Sequence, residues 1–181
     1  MNRPSSLRSL NVLHVLNDGF YTSFLLFLPF LSLEFGMNLT QAGLLGTILH
    51  SLGLLCALPA GTVAARIGGM KLLILMAILY GASYVMLGTS VSYAWLFPAF
   101  MAAGVAFAMF HPVAFALVAR FSEGKTRGRN MANFTAIGDV GKIGISSALT
   151  FVIAYVGWRY AAFLYGAVAL GSGLALFFLQ Q

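Results

Sequence analysis

An all-α membrane protein with six transmembrane helices is the fold class that this sequence predicts, and three observations predict it. Hydrophobic residues make up 60% of its 181 positions, charged residues only 8%, and the mean hydropathy is +0.92. A soluble domain carries about 25% charged residues, so the solvent of this chain is lipid. Six mainly apolar runs also reach the roughly 20 residues that a spanning helix needs. They lie at about 9–35, 41–65, 70–90, 93–121, 130–156 and 160–179. Finally, the runs are continuous, whereas a β-barrel shows short alternating segments.

The net charge of +6 is not a nucleic-acid footprint, because the positive residues flank the apolar runs. Arg3, Arg8, Arg66, Lys71, Arg120, Lys125, Arg127 and Arg129 fall on one side of the membrane and only Arg159 on the other. The positive-inside rule places the first side, with both termini, in the cytoplasm. The start, MNRPSSLRSL, has no small-residue cleavage site after its first apolar run, so no removable signal peptide is expected. Cys56 is the only cysteine and cannot form an internal disulfide.

The first span carries a polar face of Asn11, His14, Asp18 and Tyr21, with Asn17 beside it. Histidine is the side chain whose charge changes near neutral pH, so His14 and Asp18 could pass a proton. Solvation at the cytoplasmic mouth is the plainer explanation of the same residues. The second span has a groove of small residues, Gly43, Gly46, Gly53, Ala57 and Gly61, with His50 among them. His50 is either a relay member or a neutral histidine bonded to a backbone carbonyl. The third span is apolar nearly all round and reads as an outer, lipid-facing helix.

The fourth span is aromatic: Phe100, Gly104, Phe107, His111, Phe115 and Val118 share a face. Pro112 removes a backbone donor, so a kink is expected beside His111. In the fifth span Thr135, Asp139, Lys142, Ser146 and Thr150 line up as a polar stripe at about 100° per residue. Gly141, Gly144 and Ala148 fall opposite, where small residues let a neighbouring helix approach. A charge at the bilayer centre costs roughly 2.5–3.5 kcal/mol. Asp139 and Lys142, at i and i+3, therefore either neutralise each other as a structural pair or serve a transport pathway. After this span Trp158 and Arg159 mark the far interface, with Arg159 snorkelling towards water. The sixth span is apolar apart from Ser172.

Gly61-Thr-Val-Ala-Ala-Arg66-Ile-Gly68-Gly69, between the second and third spans, resembles the loop signature of the major facilitator superfamily. RGRNMANFTAIGDVGKIG followed by VGWRYAAFLYG resembles that superfamily's fifth and sixth helices. HVLNDGFY with GVAFAMFHPVAFALVARF is similar to the branch that includes fosmidomycin-resistance exporters. The resemblance covers the whole chain as the amino-terminal six-helix half of a twelve-helix transporter. It implies two three-helix repeats, about 9–90 and 93–179, within one domain spanning 1–181. Helices one and four would line the cavity, two and five flank it, and three and six face lipid. Gly61, Arg66 and Gly68 match the loop signature, with Ala65 at its aspartate position. Phe100 stands where many proton antiporters of the superfamily carry an arginine.

The function expected is secondary active transport of a small organic solute by alternating access, coupled to protons, with export favoured. His14, Asn17, Asp18, Tyr21, His50, Phe107, His111, Asp139, Lys142 and Ser146 are the expected substrate and proton pathway. The alternative is a non-transporting membrane scaffold derived from a transporter half. No His-Glu-x-x-His, Gly-x-Ser-x-Gly or cysteine pair is present, so neither an enzyme nor a cofactor or metal site is expected. The expected partners are membrane lipids, the solute, protons and a second six-helix half, supplied by a homodimer or a separate chain. The bacterial inner membrane is the expected location. Because lipid tails cannot hydrogen-bond exposed cavity residues, the polar face should be covered by that second half.

Overall fold

The computed structural model describes the backbone of residues 3–179 and the side chains within it except at 3–5, 53, 54 and 179. The side chain of Arg3, the surroundings of Gly53 and the outermost ends of the 1–181 domain therefore lie outside what is described. The described residues form six helices and no strand: α1 Arg3–Leu25, α2 Leu28–Phe35, α3 Leu39–Ile67, α4 Gly69–Gly88, α5 Tyr93–Phe121 and α6 Arg127–Leu179. Five stretches are long and apolar enough to cross a membrane, counting α1 and α2 together.

The elements divide differently from the expected runs. The first run is two helices, because Pro29 sits at the start of α2 and has no N–H for the carbonyl four residues back. The backbone turns there through Leu26 and Phe27, whose N–H groups donate three residues back to Ser23 and Phe24. The fifth and sixth runs are one 53-residue element whose only non-helical residue is Gly157, at φ 78° and ψ 162°. That conformation is open to glycine and strained for other residues.

Helix ends follow local chemistry. Asn38 and Gln41 form a reciprocal capping box at the start of α3: Gln41 N–H donates to Asn38 Oδ1 at 2.9 Å, and Asn38 N–H to Gln41 Oε1 at 3.0 Å. Gly68, in the loop signature, closes α3 at φ 96°. Gly61 and Arg66 of the same signature are exposed, Arg66 in the last turn of α3.

α1 packs on α6, α4 on α6 and α5, and α3 on α5. Glycines set two of these approaches: a Cβ on Gly141 would run into the Val15 backbone of α1, and one on Gly104 would sit 2.6 Å from the Leu49 carbonyl oxygen. Gly144, Gly43, Gly46 and Gly61 have no such neighbour, so the small-residue groove of α3 and most of that of α6 are uncovered.

The third run, expected to face lipid, forms α4, which packs closely on its neighbours. In α4, 56% of the most apolar window is buried, against 12% in α3. A helix apolar all round carries no periodic signal for direction. Gly81 and Gly88 instead let α4 lie against Leu170 and Phe163 of α6, and Tyr84 donates to the Phe20 carbonyl of α1 at 2.7 Å.

Candidate functional site

One carboxylate organises the interior. Asp18 is buried on α1, 2% exposed, and residues from three helices converge on it. His14 Nε2, one turn earlier, lies 3.4 Å from Asp18 Oδ2. His111 Nε2, from α5, lies 3.2 Å from Oδ1. Lys142 Nζ, from α6, lies 3.3 Å from Oδ2. The Asn17 amide donates to Oδ1 at 2.9 Å and so orients the carboxylate. Lys142 also reaches Asp139 Oδ1 at 3.0 Å, so a single ammonium is shared between a buried and an exposed carboxylate.

His14 is held tightly. Its Nδ1–H donates to the Phe134 carbonyl at 2.7 Å. A carbonyl can only accept, so Nδ1 carries the hydrogen and Nε2 faces Asp18 and His111. The ring lies between Phe134, with centroids 4.0 Å apart and 14° between planes, and Phe110 at 5.8 Å and 19°. Gly138 gives this cluster its room: a Cβ there would lie 2.5 Å from His14 Cε1 and 2.9 Å from Asp18 Oδ2.

Beside the cluster opens a cavity of about 390 Å³ lined by Tyr21, His50, Ala57, Phe107, Ala108, His111 and Pro112. Tyr21 stacks on Phe107 at 3.7 Å and 16°. His50 is exposed at its edge, 5.7 Å from the Tyr21 ring, and its Nδ1–H donates to the Gly46 carbonyl at 2.7 Å.

Of the sequence-expected residues, the structure gathers His14, Asn17, Asp18, His111, Lys142 and Asp139 into one network, and Tyr21, His50 and Phe107 around the adjoining cavity. Ser146 is not part of either. It donates to the Lys142 carbonyl of its own helix, as Thr135 does to Met131 at 3.2 Å and Thr150 to Ser146 at 3.3 Å. These hydroxyls spend their donors within α6, so the polar stripe narrows to Asp139 and Lys142. Gly144 and Ala148, opposite it, line an open apolar hollow of about 400 Å³, and a Cβ on Gly144 would meet nothing within 4 Å. Phe134, Phe110 and Gly138 were not singled out from the sequence. They lie among many phenylalanines and glycines, and only the fold brings Phe134 to His14, 120 positions away.

Arg159, expected to snorkel towards water, has fixed partners. It donates to the carbonyls of Gly88 at 3.2 Å and Ser90 at 2.7 Å, and to Glu34 Oε1 at 3.0 Å, with its guanidinium 4.4 Å over Trp158. It ties α2, the end of α4 and α6 together at one end of the molecule.

Such a fold and site define an integral membrane protein with a charged, cavity-lining interior. The chain belongs to the Major Facilitator Superfamily, whose family description matches residues 10–181. In structure it is similar to a bacterial homologue of the human lysosomal transporter Spinster, in an inward-facing, unoccupied conformation. The TM-score is 0.81 at 19% identity, over 97% of this chain and 42% of that one. It is also similar to tetrameric PepTSo2, with a TM-score of 0.80 at 20% identity over 99% and 41%. A third likeness is to a bacterial homologue of the human drug peptide transporters PepT1 and PepT2, with a TM-score of 0.81 at 20% identity over 100% and 42%. The chain thus spans about two-fifths of the length of these solved structures, and at these identities the likeness concerns the fold. No curated protein matches it.

Proposed function

We propose that the chain is a six-span half of a secondary active transporter that moves a small organic solute by alternating access, driven by protons, with export favoured. The observation that carries the reading is Asp18: a buried carboxylate, met by cationic or titratable groups from α1, α5 and α6, beside a cavity large enough for a small solute. Intramembrane ionisable residues that converge on a cavity mark solute and ion pathways.

Six spans are supported by the length of α6. Its 53 residues would run about 80 Å at 1.5 Å each, against a hydrocarbon core of about 30 Å. Gly157 then marks the turn between passes five and six. Two three-helix repeats, about 9–90 and 93–179, follow from that count, and the likeness in HVLNDGFY and FHPVAFALVARF favours the fosmidomycin-resistance-like branch. The concentration of Arg and Lys at the α3–α4 and α5–α6 connections favours a bacterial inner membrane with both termini cytoplasmic.

Asp139 and Lys142 have side chains 60% and 44% exposed on a helix this apolar, and lipid cannot satisfy them. A second six-helix half, from a second copy or a separate chain, would cover that face.

Reconstitution of the assembled protein into proteoliposomes tests the reading against a panel of organic solutes. Solute flux that collapses on adding a protonophore is expected. Assembly without flux of any solute would favour the non-transporting scaffold.

A further inference from the structure

We propose that His14, Asp18 and His111 form a binding site for a divalent transition-metal ion of the zinc type, with Lys142 as the resident cation that the ion displaces. Four observations carry this, and none depends on the transport reading.

The first is the spacing of the donor atoms. His14 Nε2 and His111 Nε2 are 3.3 Å apart, His14 Nε2 and Asp18 Oδ2 3.4 Å, and His111 Nε2 and Asp18 Oδ1 3.2 Å. Donors about 2.0–2.1 Å from a tetrahedral zinc ion are separated from one another by about 3.3 Å. The two imidazole nitrogens thus lie a tetrahedral edge from each other and each from a different oxygen of the Asp18 carboxylate, and one ligand atom from each of the three residues lies within 4.8 Å of the others.

The second is the tautomer. His14 Nδ1–H is committed to the Phe134 carbonyl at 2.7 Å, so a neutral His14 aims the Nε2 lone pair at the Asp18 carboxylate. Two acceptors then face each other at 3.4 Å, a repulsion that a proton on Nε2 or a cation held between them relieves. A ligating imidazole whose other nitrogen donates to a backbone carbonyl is the usual arrangement in metal sites.

Third, the outer shell is built. Asn17 orients the carboxylate, and Phe110 and Phe134 fix the His14 ring. Two imidazoles and one carboxylate suit zinc, cobalt and nickel better than magnesium or calcium.

The fourth is Lys142. Its ammonium occupies Asp18 Oδ2 at 3.3 Å, yet it has a second carboxylate, Asp139, at 3.0 Å and a side chain 44% exposed. It can therefore leave Asp18 without losing every partner, which frees the carboxylate for the ion.

The experiment is a Co²⁺ titration of the purified, untagged full chain in nanodiscs, followed by visible ligand-field absorption and reversed with Zn²⁺. One saturable site per chain with the strong bands of four-coordinate cobalt is expected. His14→Gln and His111→Gln should each weaken it at least about 100-fold, beyond what loss of an outer-shell contact costs. Because these variants change a buried cluster, helicity and thermal unfolding are recorded alongside. Lys142→Met alters a half-exposed side chain and gives the opposite readout: affinity should rise about tenfold or more as the competing charge is removed. No saturable binding by the wild type, or undiminished binding by both folded histidine variants, overturns the site. Unchanged affinity in Lys142→Met overturns the competition.

Discussion

Two centres in which a cation meets a carboxylate are built on opposite plans. At one end Arg159 spends its guanidinium on two backbone carbonyls and on Glu34. Each partner is fixed, and the backbone groups cannot exchange. Near the middle of α1, Asp18 is shared among His14, His111 and Lys142, and Lys142 is shared in turn with Asp139. Here the partners outnumber the positions available, and each group has somewhere else to go. A planar cation committed to fixed acceptors clamps helices. A flexible ammonium between two carboxylates permits rearrangement. The contrast separates a structural tie from a centre able to change state.

Room around Asp18 gives the strongest way to break this comparison. Gly138→Ala would drive a Cβ to 2.5 Å from the His14 ring and 2.9 Å from Asp18 Oδ2. Disrupting a buried ion-paired cluster costs about 3 kcal/mol of stability, and flux in proteoliposomes, normalised to folded protein, should fall by about tenfold or more, a barrier increase of about 1.4 kcal/mol. Gly144→Ala, two turns on with nothing within 4 Å, should leave flux unchanged and stabilise α6 by up to about 1 kcal/mol. Equal effects of the two substitutions would mean that the cluster is not the sensitive point.

Arg159→Leu gives a smaller effect of a different kind. The guanidinium and Glu34 are each about a third or more exposed, so loss of the tie should cost about 1–2 kcal/mol. It should appear as a lower midpoint of thermal unfolding in detergent, with flux per folded molecule preserved. A large loss of flux at unchanged stability would erase the distinction between the two centres.

The helical, lipid-dissolved character was legible because composition and run length report it without reference to neighbours. So was the membership of Asp18, His14 and His111 in one polar region, because intramembrane polar residues are rare enough to stand out. Their mutual contacts were not legible: His14 meets His111 across 97 positions and Phe134 across 120. Periodicity also over-read the α6 stripe. It shows that Thr135, Ser146 and Thr150 share a face with Asp139, but not that their hydroxyls bond within the helix. It likewise cannot orient α4, whose apolar residues surround it, so the side that packs on α5 and α6 comes from the fold alone. The break before Pro29 follows from a proline that the apolar run concealed.

The central claim is that the α6 charges work together with Asp18 and do not merely neutralise each other. Asp139→Asn combined with Lys142→Met removes both charges at once, leaving no unpaired ammonium or exposed carboxylate behind. Flux of the assembled protein in proteoliposomes, normalised to folded protein, tests the claim most directly. The account predicts a folded double variant whose flux is at least about tenfold below wild type, a barrier increase of about 1.4 kcal/mol. A double variant that folds and transports at the full wild-type rate would contradict it and make the pair structural.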